Sequence, residues 1–318
     1  MDKLAQIGFY TLSDSRAMTA SSRTPLQRCE LVLTDKCNFN CTYCRKLRPE
    51  ARGHLDRDTA LETVSYWVSE RIKTVRFTGG EPLLHPLLKG LVQYCKAGKA
   101  EHIAVSSNGS FPLQKYADLI EAGVNDFSVS LDACCSQLGD SISRAPGTFD
   151  KVVKTIKFLG ENTYVSVGMV FTEENVDQCR EAVLFADSLG PSDIRVIPSA
   201  QFNRALSLLK DLPEEVLSKY PILRYRINHI NEGRHIRGIS PSDSNRCHLV
   251  VDDMASAGGM HFPCIIYLRE GGAPIGRIGP GCREERLEWS LNHDTHSDPI
   301  CKSNCLDCLV DYNNTAKE

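Results

Sequence analysis

Cys37, Cys41 and Cys44 stand in the run Cys37-Asn-Phe-Asn-Cys41-Thr-Tyr-Cys44, directly after an apolar β-type segment. Thiolates this close together on one loop favour soft-metal or iron–sulfur ligation over chance placement. A closed zinc site would need a fourth Cys or His, and none adjoins the loop. A set of three suits instead a cubane cluster with one iron left without a protein ligand. An open coordination position implies a substrate or cofactor that fills it.

The chain's 14 cysteines cluster a second time near its end, at Cys247, Cys264, Cys282, Cys301, Cys305 and Cys308. Reduced thiols in a 318-residue chain that is 42% hydrophobic are not needed as disulfide staples, so ligation and catalysis are their expected uses. Cys29, Cys95, Cys134, Cys135 and Cys179 lie in the middle pattern, where a single cysteine reads as a small buried hydrophobe.

The elements that must position these groups alternate in type. Short β-branched runs at Glu30–Thr34, Thr74–Thr78, His102–Ser106, Asp126–Leu131, Tyr164–Phe171 and Asp193–Pro198 are separated by amphipathic stretches at Asp58–Ile72, Pro86–Ala97, Leu113–Ala122, Thr148–Gly160 and Asn175–Leu189. A further helix is expected near Pro213–Asn231. Asp56 and Thr148 sit at helix starts, and Gly123, Gly160 and Gly190 at stops. The pattern predicts an α/β fold, a partial (β/α)6 barrel with ligands at the carboxyl ends of its strands; an open doubly wound sheet is the competing reading. From about Arg237 the composition turns to Gly, Pro, Asp and Cys, with a hairpin expected from Leu249–Asp252 and Phe262–Leu268 around Ala257–Gly259. The expected division is a short extension over 1–28, the barrel over 29–236 and a small cysteine-rich domain over 237–318.

With 37 Lys+Arg against 40 Asp+Glu, a polyanion-binding charge field is not expected, so neither nucleic acid nor membrane is an expected partner. No apolar run reaches a membrane span, and the first residues lack a signal-peptide pattern, which leads to an expectation of a cytoplasmic protein.

The front loop resembles that of the radical S-adenosylmethionine (SAM) superfamily: Cys37, Cys41 and Cys44 match its CxxxCxxC, and Tyr43 its aromatic before the last cysteine. Thr78-Gly79-Gly80-Glu81-Pro82 ends the second strand like the family's GGE motif, with glycines for close backbone approach and Glu81 as acceptor for the ammonium group of SAM. Ser106-Ser107-Asn108-Gly109 resembles the TTNG of the molybdopterin-synthesis branch. Ser130-Leu131-Asp132 resembles the SLD whose serine contacts the cofactor. The resemblance therefore implies cofactor contacts at Tyr43, Gly79, Gly80, Glu81, Ser107, Asn108 and Ser130, a 4Fe-4S cluster on the front cysteines, SAM, and an external electron donor such as flavodoxin or ferredoxin.

At the rear, Cys247, Gly259 and Cys264 resemble the opening of SPASM and twitch auxiliary domains. The full SPASM set of seven cysteines is not matched. The shorter twitch form implies one auxiliary 4Fe-4S cluster on Cys247, Cys264, Cys305 and Cys308, with Cys282 and Cys301 as alternates or as ligands of a second cluster; zinc is the competing occupant.

The family chemistry is reductive cleavage of SAM and hydrogen abstraction from a substrate C–H bond. The expected outcome is oxidation or epimerisation of a small molecule such as a sugar, cyclitol or nucleoside, because 28 residues ahead of the barrel are too few for a leader-binding domain. The alternatives are modification of a ribosomally made peptide and, more remotely, an electron carrier or cluster scaffold. Cys134 and Cys135, just past Ser130-Leu131-Asp132, are candidate hydrogen donors. Arg76, His85, Asp132, Asp252 and Asp253 are weaker candidates for substrate contact, with a barrel-interior salt bridge or solvated turn acids as their plainer roles.

Overall fold

Apolar residues at alternate positions form the parallel strands β1 (Arg28–Val32), β2 (Thr74–Thr78), β3 (His102–Ser107), β4 (Asp126–Ser130), β5 (Tyr164–Val170) and β6 (Asp193–Ile197). The computed structural model describes residues 2–7, 12–46, 49–197 and 204–317; Pro198, expected to end β6, lies outside them. Cys29, Leu31, Val75, Phe77, Val105, Phe127, Val167 and Val196 join one buried apolar cluster with the crossover helices. The alternate residues Glu30, Arg76, Ser106, Ser128, Ser166 and Arg195 face the other way. A parallel sheet buried on both faces is ordinarily apolar on both, so this alternation marks an inner face that is not a filled core. The sheet curls about that face as a partial barrel: Arg76 on β2 lies 3.7 Å from Asp126 on β4, across the intervening β3.

The crossover helices Arg57–Ser69, Leu88–Ala97, Leu113–Ala122, Phe149–Asn162 and Cys179–Asp187 follow the sequence pattern with shifted ends. Asp56 caps the first by accepting from the Thr59 N–H at 3.0 Å. Thr148 does not cap its helix with its side chain; Asp140 accepts the Thr148 and Phe149 N–H groups instead. Gly160 lies inside its helix rather than after it, at a close approach to the Gly190 carbonyl where a side chain would not fit. The stretch at Pro213–Asn231 breaks into Glu214–Leu217 and Pro221–Asn231, because Pro221 offers no N–H and restricts the residue before it.

The rear segment is not separated from the barrel. Its strand β7 (Asp253–Ala257) pairs in parallel with the free edge of β1, and β8 (Met260–Phe262) and β9 (Gly276–Arg277) continue the same nine-stranded sheet. The hairpin thus starts later than expected. Gly258 and Gly259 carry positive φ of 58° and 76° and make its tight turn, while Leu249–Val251 belongs to a 3-10 turn and Ile265–Arg269 to a helix. Asp252 and Asp253 are not turn acids in water: Asp252 is buried against Arg16 and the Tyr312 hydroxyl, and Asp253 against Arg28, whose Nε donates at 2.9 Å. Leu4, Ile7, Leu12 and Ala17 of the first segment pack with Leu249, Ile266, Leu309 and Tyr312 in a second apolar cluster, which fixes the described part of that segment to the rear of the protein. No described helix is long and apolar enough to cross a membrane.

Candidate functional site

The loop after β1 carries the three front thiols at the carboxyl end of the sheet. Cys37 and Cys44 are exposed and Cys41 half-buried, and each lies close enough to influence the others electrostatically. Burial pushes the Cys41 thiol up to about 12, with Asp132 and the other two thiols adding to the rise. Neutral thiols gathered this way ionise when a cation binds, as cluster ligands must. The loop is held from several sides. Ser143 and Ile142 carbonyls accept the Asn40 and Thr42 N–H groups at 3.0 and 2.9 Å, and Asn108 Nδ2 lies 2.8 Å from Asn38 Oδ1 and 3.8 Å from Cys37 Sγ. Tyr43 donates its hydroxyl to Asp132 Oδ2 at 2.7 Å.

Beside this loop, Gly79 and Gly80 do what only glycine can. A Cβ on either would overlap backbone carbonyl oxygen of the Thr34–Lys36 segment, and Gly80 and Glu81 donate to the Thr34 and Lys36 carbonyls at 2.7 and 2.8 Å. The close approach is to the cysteine loop itself. Glu81 is fully buried: Oε1 accepts from Leu83 N–H and Ser107 Oγ, each at 3.1 Å, and Oε2 from Asn108 N–H at 2.7 Å. Burial raises its carboxyl to about 7 despite these donors. In this structure the Glu81 carboxylate and the Ser107 hydroxyl bond to each other and join the ends of β2 and β3. Asn108, half-buried, and Ser130, exposed at the end of β4, remain accessible, as does the backbone of Gly79 and Gly80.

Past β4, Asp132 bridges three pieces: Tyr43, the Val170 N–H at 2.7 Å, and Asn175 Nδ2, which donates to the Asp132 carbonyl at 2.9 Å. Cys134 donates to Gln178 Oε1 at 3.5 Å and packs against the main core; Cys135 is exposed at the start of the helix Ser136–Ser143. His85 is spent on Leu55 and Leu87 of the backbone. Arg76 takes the barrel-interior ion pair with Asp126.

At the rear, Cys247, Cys264, Cys301 and Cys305 line one largely apolar pocket together with Ile266 and Trp289. Burial, with Asp253 adding, pushes Cys247 up to about 11; burial and neighbouring thiols push Cys264 up to about 12, and Cys301 and Cys305 well above their ordinary value. Cys308 is buried in the same apolar cluster as Cys247, Cys264 and Cys305, beside Asp307, Arg226 and Arg28, while Cys301 lines the pocket itself. Cys282 begins the helix Cys282–Asn292 and is buried in the barrel core against Tyr66. His293, stacked on Trp289, lies 3.8 Å from Cys301 Sγ. Front and rear are joined by the ion pair of Arg45, next to Cys44, with Glu270. Arg237, lowered to about 10 by burial and the nearby Arg226, sits close to both Glu270 and Cys305.

A curled parallel sheet with three thiols on the loop after its first strand, glycines packed against that loop from the second, and a rear thiol pocket defines a class of cluster-bearing barrel enzymes. The sequence model of the radical SAM superfamily matches residues 31–186, so the chain carries a radical SAM domain there. It is 34% identical over 174 residues to a GTP 3′,8-cyclase of Clostridium perfringens, covering 52% of this chain and 53% of the relative. It is 29% identical over 269 residues to the antilisterial bacteriocin subtilosin biosynthesis protein AlbA of Bacillus subtilis, covering 83% and 56%. The chain thus spans about half the length of these curated relatives. Among solved structures, SuiB of Streptococcus suis bound to precursor peptide SuiA superposes with a TM-score of 0.58 at 16% identity, covering 88% of this chain and 66% of SuiB. SuiB also has a structure with SAM bound. The superfamily uses a 4Fe-4S cluster and SAM, and the cysteine-rich rear of this chain fits an auxiliary cluster.

The inner-face residues Glu30, Ser128, Ser166 and Arg195 were not singled out from the sequence. Their signal was present in the polar alternation of ELVL, DFSVS, YVSVG and DIRVI, which a filled barrel core would not carry.

Proposed function

We propose that the protein is a radical SAM enzyme that oxidises a substrate held against the polar inner face of the barrel, between the front cysteine loop and the rear thiol pocket. Cys37, Cys41 and Cys44 would hold the radical cluster, and Cys247, Cys264, Cys301 and Cys305 the auxiliary one. The bound groups supply a reducing electron, a 5′-deoxyadenosyl radical and an acceptor for the substrate's second electron. The residues of the chain do the rest. Tyr43 and Asp132 hold the cysteine loop over the sheet, the Glu81 apex fixes the adjoining strand ends, and Asn108 and Ser130 offer hydrogen bonds at the rim.

The observation that carries this reading is the Arg45–Glu270 ion pair, which ties the residue after Cys44 to the end of the helix that follows Cys264 and so supports a front and a rear thiol group that serve one chamber. Oxidation is supported over epimerisation by the rear thiol pocket, which can hold an electron acceptor, and by Cys134 bonding to Gln178; Cys135 remains the thiol an epimerisation would use. The substrate we favour is a peptide side chain, supported by the alignment with AlbA over 83% of the chain. A small polar molecule is the second reading, supported by the polar floor of the inner face.

Anaerobic reconstitution followed by SAM and dithionite should yield 5′-deoxyadenosine. With substrate in deuterated water the product should lack a pair of hydrogens and carry no solvent deuterium at the altered carbon. One solvent deuterium there would replace oxidation with epimerisation.

A further inference from the structure

Polar hydrogens converge on three of the four thiols in the rear pocket. Tyr267 donates its backbone N–H to Cys264 Sγ at 3.4 Å. Asn313, buried in the pocket wall, places its amide Nδ2 3.8 Å from Cys247 Sγ. That orientation is fixed, because Asn313 Oδ1 accepts the Leu249 N–H at 3.1 Å and so leaves the NH2 end facing the thiol. His293 faces the third. Its Nε2 lies 3.8 Å from Cys301 Sγ and 3.4 Å from Asp298 Oδ2, and a ring nitrogen confronted by a carboxylate and a thiolate is the one that carries the proton. The ring is held in place by stacking on Trp289, with 3.8 Å between centroids and 17° between planes. Asp298 is fixed in turn by the Tyr267 hydroxyl at 2.9 Å and by the Ile300 and Cys301 N–H groups, both 2.8 Å from its Oδ1.

A neutral thiol gains little from such donors, whereas a sulfur that carries cluster charge gains from each one. One-electron reduction adds negative charge to a thiolate-held cluster, so an N–H···S contact stabilises the reduced form more than the oxidised one and raises the potential. We propose that Asn313 and His293 are positioning residues that raise the reduction potential of the rear cluster and so fit it to accept an electron from a substrate radical. The inference rests on the reading that Cys247, Cys264, Cys301 and Cys305 hold the auxiliary cluster of an oxidising enzyme. In that reaction the substrate gives a hydrogen atom to the 5′-deoxyadenosyl radical, then one electron to the rear cluster and one proton to solvent.

The test uses the full chain carrying Cys37→Ala, Cys41→Ala and Cys44→Ala together, which leaves the rear cluster alone to be titrated. Anaerobic potentiometry followed by electron paramagnetic resonance reads its midpoint. Asn313→Leu and His293→Phe, the second keeping a ring to stack on Trp289, should each move the midpoint to more negative potential. Their combination should change the reduced-to-oxidised ratio at a fixed potential by at least about tenfold, about 59 mV for one electron. His293→Gln, which restores an N–H donor, should return part of the shift. Midpoints unchanged or more positive, with about four irons retained, overturn the proposal. His293→Phe decides alone if Asn313→Leu, which also loses the Leu249 partner, does not fold. Loss of the rear iron from His293→Phe overturns the proposal too, since it would make the ring a structural support. No rear iron in the parent chain overturns the auxiliary-cluster reading itself, and iron content separates that failure from the others before any potential is measured.

Discussion

The Tyr43 hydroxyl donates to Asp132 Oδ2 at 2.7 Å, while Asp132 Oδ1 accepts the Val170 N–H at the same distance. One carboxylate thus fastens the front cysteine loop to the ends of β4 and β5. Burial raises this carboxyl to about 6, so the short contacts do not fully offset its desolvation.

Tyr43→Phe should destabilise the fold by about 1–3 kcal/mol, because the buried Asp132 oxygen loses its donor. Denaturant unfolding measures this directly. Tyr43→Phe together with Asp132→Ala should cost much less than the sum of the single changes if the two act as a pair. Additive losses would show that they stabilise the loop independently.

Glu81 gives a pH dependence with a defined sign. Its folded value of about 7 lies above the ordinary 4.5, so the native state binds the proton more tightly. Its contribution to stability is therefore fullest below about 4.5 and is lost as pH rises through about 7, by up to about 3 kcal/mol. Glu81→Gln should flatten the stability profile across that window. An unchanged slope in the variant would assign the effect to another group.

The rear pocket predicts which thiols bind iron. Reconstituted wild type should hold about eight irons, and Cys301→Ala should retain about four, whereas Cys308→Ala should keep nearly all of them. The opposite result for Cys301 and Cys308 would restore the terminal CxxC pairing. Zinc in place of the rear iron would remove the electron-accepting role.

Gly80→Ala should disrupt the front site selectively. The added methyl would overlap the Lys36 and Asp35 carbonyl oxygens just ahead of Cys37, so the loop must move. Loss of about four irons and of SAM cleavage is expected, with the rear cluster retained. Full front-cluster loading in the variant would show that the loop accommodates the methyl.

Much of this protein was legible in the order of its residues. The six parallel strands follow from short apolar runs separated by amphipathic stretches, since a buried strand and its covering helix each carry their own period. The spacing of Cys37, Cys41 and Cys44 and the glycines of Gly79-Gly80-Glu81 are local features, which a single segment can encode. What tertiary structure decided were relationships between segments far apart in the chain. Parallel pairing of β7 with β1 merges the rear into the barrel sheet, and no local pattern records which edge a distant strand will choose. Cys301 lines the rear pocket while Cys308 packs beside it among buried side chains, because the break between the helices Pro299–Asn304 and Asp307–Lys317 gives the two thiols different neighbours. Glu81 became a buried strap for the same reason. Whether a polar side chain is satisfied depends on which other segments the fold brings within about 3 Å, a distance that sequence separation does not encode.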